Sequence, residues 1–299
     1  MKQHNFSIFS LLVVVLATFF IPLKAAAGWF IIEQQDDGLG NFGSQAVFIQ
    51  GQLLRIENEK SVFIVNLESE QITLIFPGHQ LFWTGHPDSL RKAISDRLEQ
   101  QIEVLLAQMP PGMRKENDSN FSAQLARFRS GEFVPDSSIQ FEIKKLPETD
   151  SVLNYPTSTV EFYADSVLLE RIWTTQAVNP YAEIDKQKLA RLFSLFNPPS
   201  RVSAHRSYKE YQTITSSQFV LKSLIPTPYG SSVTEVKTLV NRDIPLSLFE
   251  PTEDYRPALL ERILEITMGE DKKESENPFK NPADIKPKSP VPVMPPRPQ

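Results

Sequence analysis

From Gly28 onward the chain is built of short apolar runs separated by polar clusters. The runs Trp29–Gln34, Gln45–Gln50, Gln52–Glu57, Ser61–Asn66 and Gln71–Phe76 are rich in Ile, Val and Phe. Clusters such as Glu57-Asn58-Glu59-Lys60 and Glu68-Ser69-Glu70 divide them. Apolar runs recurring at roughly ten-residue spacing predict strands of a meander within a sandwich or barrel-like sheet. Further strands are expected at Ile139–Ile143, Thr159–Tyr163, Val167–Thr175, Tyr208–Thr215, Gln218–Leu224 and Val233–Val240.

A different period interrupts the strands. After the cap Pro87-Asp88-Ser89, the residues Leu90, Ile94, Leu98, Ile102 and Leu105 share one helical face, and Pro110-Pro111-Gly112 ends the segment. Arg91, Lys92, Asp96, Arg97 and Glu99 occupy the other face, so this is an amphipathic helix laid on the sheet. A second amphipathic helix is expected over Ile184–Phe196, closed by Asn197-Pro198-Pro199. A third is expected near Pro257–Met268, with Leu260, Ile263 and Leu264 on one face. Residues 112–136 are polar and irregular, which predicts a loop with a helical turn.

The two ends differ from this middle. Lys2, the uncharged run Ile8–Leu23 and the small residues Ala25 and Ala27 form a secretory signal, with cleavage predicted after Ala27. As a helix that run reaches ~24 Å, short of the ~30 Å of a bilayer core, and Pro22 breaks it near its end. Three segments follow: a signal peptide at 1–27, a β-rich domain at 28–268 and a tail at 269–299. The tail has eight prolines in its last 22 residues and almost no large apolar side chains. It cannot bury enough surface to offset its ordering entropy, so disorder with polyproline-II character is expected. Its P-x-x-P spellings (Pro292–Pro295 and Pro295–Pro298) are where a partner would be recruited.

Charge and chemistry narrow the functional classes. Loss of Lys2 and Lys24 with the signal moves the net charge from -5 to -7, and a mildly acidic chain without a basic stripe is a poor nucleic-acid binder. Export makes contact with the membrane transient. The chain has no cysteine, which removes disulfides, lipoprotein attachment and thiolate metal sites. "GLGNFG" at 38–43 spells a dinucleotide fingerprint, but a strand rather than a helix is expected after it. Its glycines therefore serve positive φ in a hairpin connection, and no cofactor is expected. His79, His86 and His205 show no i, i+4 pair, and they are read as surface histidines beside turns rather than metal ligands. No G-x-S-x-G elbow is present, so no catalytic residue is assigned and the protein is not expected to be an enzyme. Twenty phenylalanines and three tryptophans remain. They either fill an ordinary core or line a cavity able to accept acyl chains.

Two stretches carry a resemblance. The first is Ile49–Glu57 with Val62–Leu67 and Ile72–Trp83; the second is Val233–Val236 with Ile244–Pro251 and Tyr255. Together they resemble the opening and closing segments of bacterial domain-of-unknown-function family 4412, across about Gln45 to Tyr255. Asp254 stands where that family often has glycine, and Phe82 or Trp83 where it often has tyrosine. Arg55 is the best-matched polar residue, with a structural strand charge as its simplest role. The family is similar to the LolA-like lipoprotein-carrier fold. The resemblance thus implies a mainly β (α+β) protein with a strongly curved antiparallel sheet (half-barrel) covered by two or three amphipathic helices. It also implies a periplasmic binding or carrier protein for a hydrophobic ligand, a lipid or lipoprotein acyl chain, with no ligand-binding residue carried over. The alternative is an envelope interaction protein with a filled core and a partner-recruiting tail.

Overall fold

A computed structural model describes residues 27–130, 140–193, 204–228 and 230–269. The signal segment, nearly all of the proline-rich tail and Asn197-Pro198-Pro199 lie outside the described residues. Six strands come first: β1 (Gly28–Asp36), β2 (Phe42–Gln50), β3 (Leu53–Glu57), β4 (Val62–Asn66), β5 (Gln71–Phe76) and β6 (Leu81–Gly85). Two helices follow, α1 (Pro87–Gln108) and α2 (Pro111–Ser130). Then come β7 (Phe141–Val152), β8 (Tyr155–Ala164) and β9 (Val167–Thr175). After α3 (Lys186–Phe193) and α4 (Lys209–Ser217), the chain adds β10 (Phe219–Thr227) and β11 (Gly230–Arg242). It ends in β12 (Arg256–Pro257) and α5 (Leu260–Thr267).

All twelve strands join one open, curved sheet in the order β12-β6-β5-β4-β3-β2-β1-β11-β10-β9-β8-β7. The meander from β1 to β6 runs out to one edge, and the meander from β7 to β11 returns from the other edge to pair with β1. The protein is mainly β, and the open sheet fits a half-barrel. One strand departs from the antiparallel expectation: β12 pairs parallel with β6 through Arg256 and Pro257.

Period-two alternation divides the apolar residues of β2 to β5 between two faces. Val47, Ile49, Leu54, Val65 and Ile72 go to one face. There they meet Leu90 and Ile94 of α1, Leu189 and Leu192 of α3, and Leu260 and Leu264 of α5. Phe48, Leu53, Ile64 and Ile75 go to the other face, under Ile244, Leu248, Phe249 and Tyr255. A third cluster packs Val160, Phe162 and Ile172 with Tyr211 and Ile214 of α4. Each such side chain, fully buried, stabilises the fold by about 1.5–3 kcal/mol relative to exposure. Three amphipathic helices therefore cover the main face.

Two expectations are corrected. The segment expected as a loop at 112–136 forms α2 through Ser130. Its polar surface hides the helical period, because it packs along α1 rather than on the sheet. Among its described side chains Leu125 and Phe128 are the buried ones, and Arg129 pairs with Glu99 of α1. Tyr208–Thr215, expected as a strand, forms most of α4. Its aromatic and β-branched residues favour a strand reading, but Tyr211 and Ile214, three apart, share a helix face against the third cluster. In α1 the expected apolar face is buried only at its start: Leu90 is 1% exposed and Leu105 is 44% exposed.

The "GLGNFG" stretch is a hairpin connection. Gly38 and Gly40 have φ of 74° and 93°, and strand β2 resumes at Phe42. Asp36 accepts a hydrogen bond from the Gly38 amide, and Asp37 accepts from the amides of Leu39 and Asn41. Among the described residues no helix is long and apolar enough to cross a membrane.

Candidate ligand groove

Along β1 the residues Ile31, Glu33 and Gln35 alternate onto the helix-covered face, and along β2 so do Val47, Gln45 and Gly43. The face thus changes from apolar to polar within two strand positions. At that polar end a cavity of about 480 Å³ opens between β1, β2, the Asn58–Ser61 turn and Thr234 of β11. Gly43 leaves its share of the space empty, since a Cβ there would meet nothing within 4 Å. The hairpin bordering the cavity exposes Leu39 (64%) and Phe42 (80%), and Phe42 lines it.

Burial pushes the Glu33 carboxyl up, and the Gln45 side-chain amide, donating to it at 2.6 Å, partly offsets this. Behind it, burial raises the Tyr181 hydroxyl strongly, with the Glu33 charge adding to the effect. Asn58 Oδ1 accepts from the amides of Lys60 and Ser61, each at 2.9 Å, and from the Ser61 hydroxyl, which fixes the turn. The groove is therefore a semi-polar recess in which Phe42 is the one large apolar lining residue. It can hold a ligand that has both an apolar part and a hydrogen-bonding part.

A second polar constellation lies in the β9–β10 region. The Glu170 carboxylate, 1% exposed, meets His205 Nε2 at 2.6 Å and accepts from Arg206 Nη2 at 2.8 Å and Ser223 Oγ at 2.6 Å. Burial alone would raise this carboxyl; the His205 hydrogen bond, the Arg206 charge and the Ser223 hydroxyl bring it down to about 2. Ser, His and Glu are thus brought together, but Ser223 donates to Glu170 and not to His205. The acceptor of its proton is a carboxylate brought down to about 2, too weak a base to activate the hydroxyl as a nucleophile in this geometry. The cluster ties the 204–207 turn and the start of α4 to the sheet.

The three described histidines fall in three settings. His79 is in the short 3-10 turn after β5. His86 caps α1, its Nδ1 accepting from the Asp88 amide at 3.2 Å, and lies 3.7 Å from Glu70. It borders a smaller cavity of about 270 Å³ with Arg91, Lys188 and Leu192. His205, expected at the surface, is instead 1% exposed, because its turn is folded inward onto Glu170. Among the described residues no group of three or more His, Asp or Glu side chains is placed to hold a metal ion.

Arg55 does hold a structural place. Its Nη1 donates to the Leu248 carbonyl at 2.7 Å, and its Nε and Nη2 donate to Glu57. The two sequence stretches that carry the family resemblance therefore meet, with Ile244 and Phe249 packed over β4 and β5. The groove residues were missed in the sequence. Glutamine, asparagine and serine in strands and turns have no motif, and Thr234 lies some two hundred positions from Glu33. The only local signal was the glycine-rich hairpin beside them.

No family model and no curated protein matches the sequence. Among solved structures the chain is similar to PNGF-II in two crystal forms, at 12% identity and TM-scores of 0.32 and 0.31. These matches cover 78% and 80% of this chain and 31% and 33% of PNGF-II, so the chain spans about a third of that protein's length. It is also similar to a LolA superfamily protein from Nitrosomonas europaea, at 11% identity and a TM-score of 0.24. That match covers 79% of this chain and 94% of the other. All three likenesses are weak.

Proposed function

We propose that the protein is an exported, non-catalytic binding or carrier protein of the bacterial periplasm, akin to family 4412. Its ligand is an amphiphile, a lipid or a lipoprotein acyl chain, seated in the groove. One observation carries this reading: an open recess of about 480 Å³ lies at the polar end of the helix-covered face. That volume falls within the ~300–1,000 Å³ of small-molecule sites. The apolar part of the ligand would lie toward the exposed Leu39 and Phe42 of the hairpin, and its polar part toward Gln45 and Asn58.

A second reading has its own support. Ile31, Leu54, Val65 and Ile72 are each 0% exposed, so the floor beneath the helices is packed rather than hollow. This favours an envelope interaction protein with a filled core. Thermal melts of residues 28–299 with dodecyl maltoside and with lysophosphatidylethanolamine, each below its micellar concentration, separate the two. A ligand at a hundredfold excess over its Kd stabilises by about 2.7 kcal/mol, and the binding reading expects a corresponding rise in Tm. No rise with either compound would leave the filled-core reading. For export, N-terminal sequencing of the protein from its host should begin at Gly28, and Met1 retained in a membrane fraction would overturn a periplasmic location.

A further inference from the structure

The groove's walls are chemically specific in a way that an acyl chain does not use. A hydrocarbon laid against Gln35, Gln45 and Thr234 would strip water from amides and a hydroxyl and return no hydrogen bonds. The groove end therefore selects against bare hydrocarbon.

The bonding capacity left in these walls is mixed. Gln45 Nε2 is committed to Glu33, which leaves its carbonyl oxygen to accept. Asn58 Oδ1 is committed to its own turn, which leaves its amino group to donate. Ser44 and Thr234 supply hydroxyls that both donate and accept. An anion finds poor company here, since Glu33 and Glu59 line the groove against Lys60. At the rim the Phe42 ring, 80% exposed, offers a flat apolar plate whose π-face is electron-rich. Hydroxyls that each donate and accept, with an apolar C–H face on the same unit, are the chemistry of a pyranose ring.

Resting on the reading of the groove as the ligand site, we propose that it recognises a saccharide, the uncharged head group of a glycosylated amphiphile. The sugar hydroxyls bond to Gln35, Gln45, Asn58 and Thr234, and one ring face stacks on Phe42. The alkyl part runs out over the exposed Leu39 of the same hairpin.

Three probes separate head from tail: maltotriose, a sugar without a chain; dodecanoate, a chain without a sugar; and dodecyl maltoside below its micellar concentration, which has both. The readout is the backbone amide NMR shifts of residues 28–299, followed at Phe42–Gln45 and Asn58–Ser61. Maltotriose and dodecyl maltoside should shift these amides, and dodecyl maltoside should bind at least about tenfold more tightly than dodecanoate. Phe42→Ala, at a site too exposed to matter for folding, should weaken both sugar probes by about tenfold while leaving Tm unchanged. Shifts with dodecanoate but not with maltotriose would overturn the saccharide and leave the groove as a site for apolar chains. No shift at these amides with any probe would overturn both.

Discussion

Replacing Glu170 by glutamine keeps the shape of the side chain and removes the one charge on which His205, Arg206 and Ser223 converge. In the fold this carboxyl titrates at about 2, against 4.5 when free. A displacement of that size, at about 1.36 kcal/mol per pH unit, corresponds to on the order of 3 kcal/mol of stability. The folded value is the lower one, so this stability is fully present above about pH 4.5 and is lost as pH falls toward 2. Arg206 is 44% exposed on its side chain and can recover water when its partner is neutral, whereas His205 cannot. Urea unfolding of the wild type and Glu170→Gln at pH 7, 4 and 2.5 measures the effect. The variant should be less stable by on the order of 3 kcal/mol at pH 7, with the gap closing through the acid range. A gap that is the same at pH 7 and pH 2.5, or below about 1 kcal/mol throughout, would refute the charge network as the holder of this region.

The other structural predictions are read by the same unfolding assay. Leu90→Ala should cost about 2–5 kcal/mol, since Leu90 is 1% exposed in the main core, while the half-buried Leu98 should cost under about 2 kcal/mol when truncated. Equal costs would mean that α1 is buried along its whole length. Gly38→Val should cost more than Gly40→Val although both glycines have positive φ. Only at Gly38 would the new Cβ fall 2.6 Å from a backbone oxygen, that of Ser231. The strain at each is expected in the range of about 1–3 kcal/mol, with the clash added at Gly38 alone.

The strands were legible wherever an apolar run was bounded by turn residues. Gln71–Phe76 and Val167–Thr175 were read at their observed bounds. Strand β6 was passed over because Leu81-Phe82-Trp83 is short and its second face is covered from far along the chain, by Tyr255 and the Phe249 turn. The two helix errors share a cause. A helix is legible where its apolar stripe faces the sheet, but α2 packs on another helix and α4 covers a small cluster with Tyr211 and Ile214. The groove was illegible for a topological reason. Closure of β11 onto β1 brings Thr234 to Gln35, and nothing local in either strand announces that pairing. His205 shows the same limit, since the carboxylate that buries it lies 35 residues away.

Function rests on whether the recess at the end of the helix-covered face is where a ligand sits. Gly43→Phe tests this directly, because the glycine lines the recess and a side chain there has open space to grow into. Within strand β2 the change should alter intrinsic stability by no more than about 1 kcal/mol. The measurement is the rise in Tm that dodecyl maltoside and lysophosphatidylethanolamine give the wild type and the variant, side by side. A clear rise is expected for the wild type and little or none for Gly43→Phe. An equal rise in both proteins would contradict this and place the ligand elsewhere.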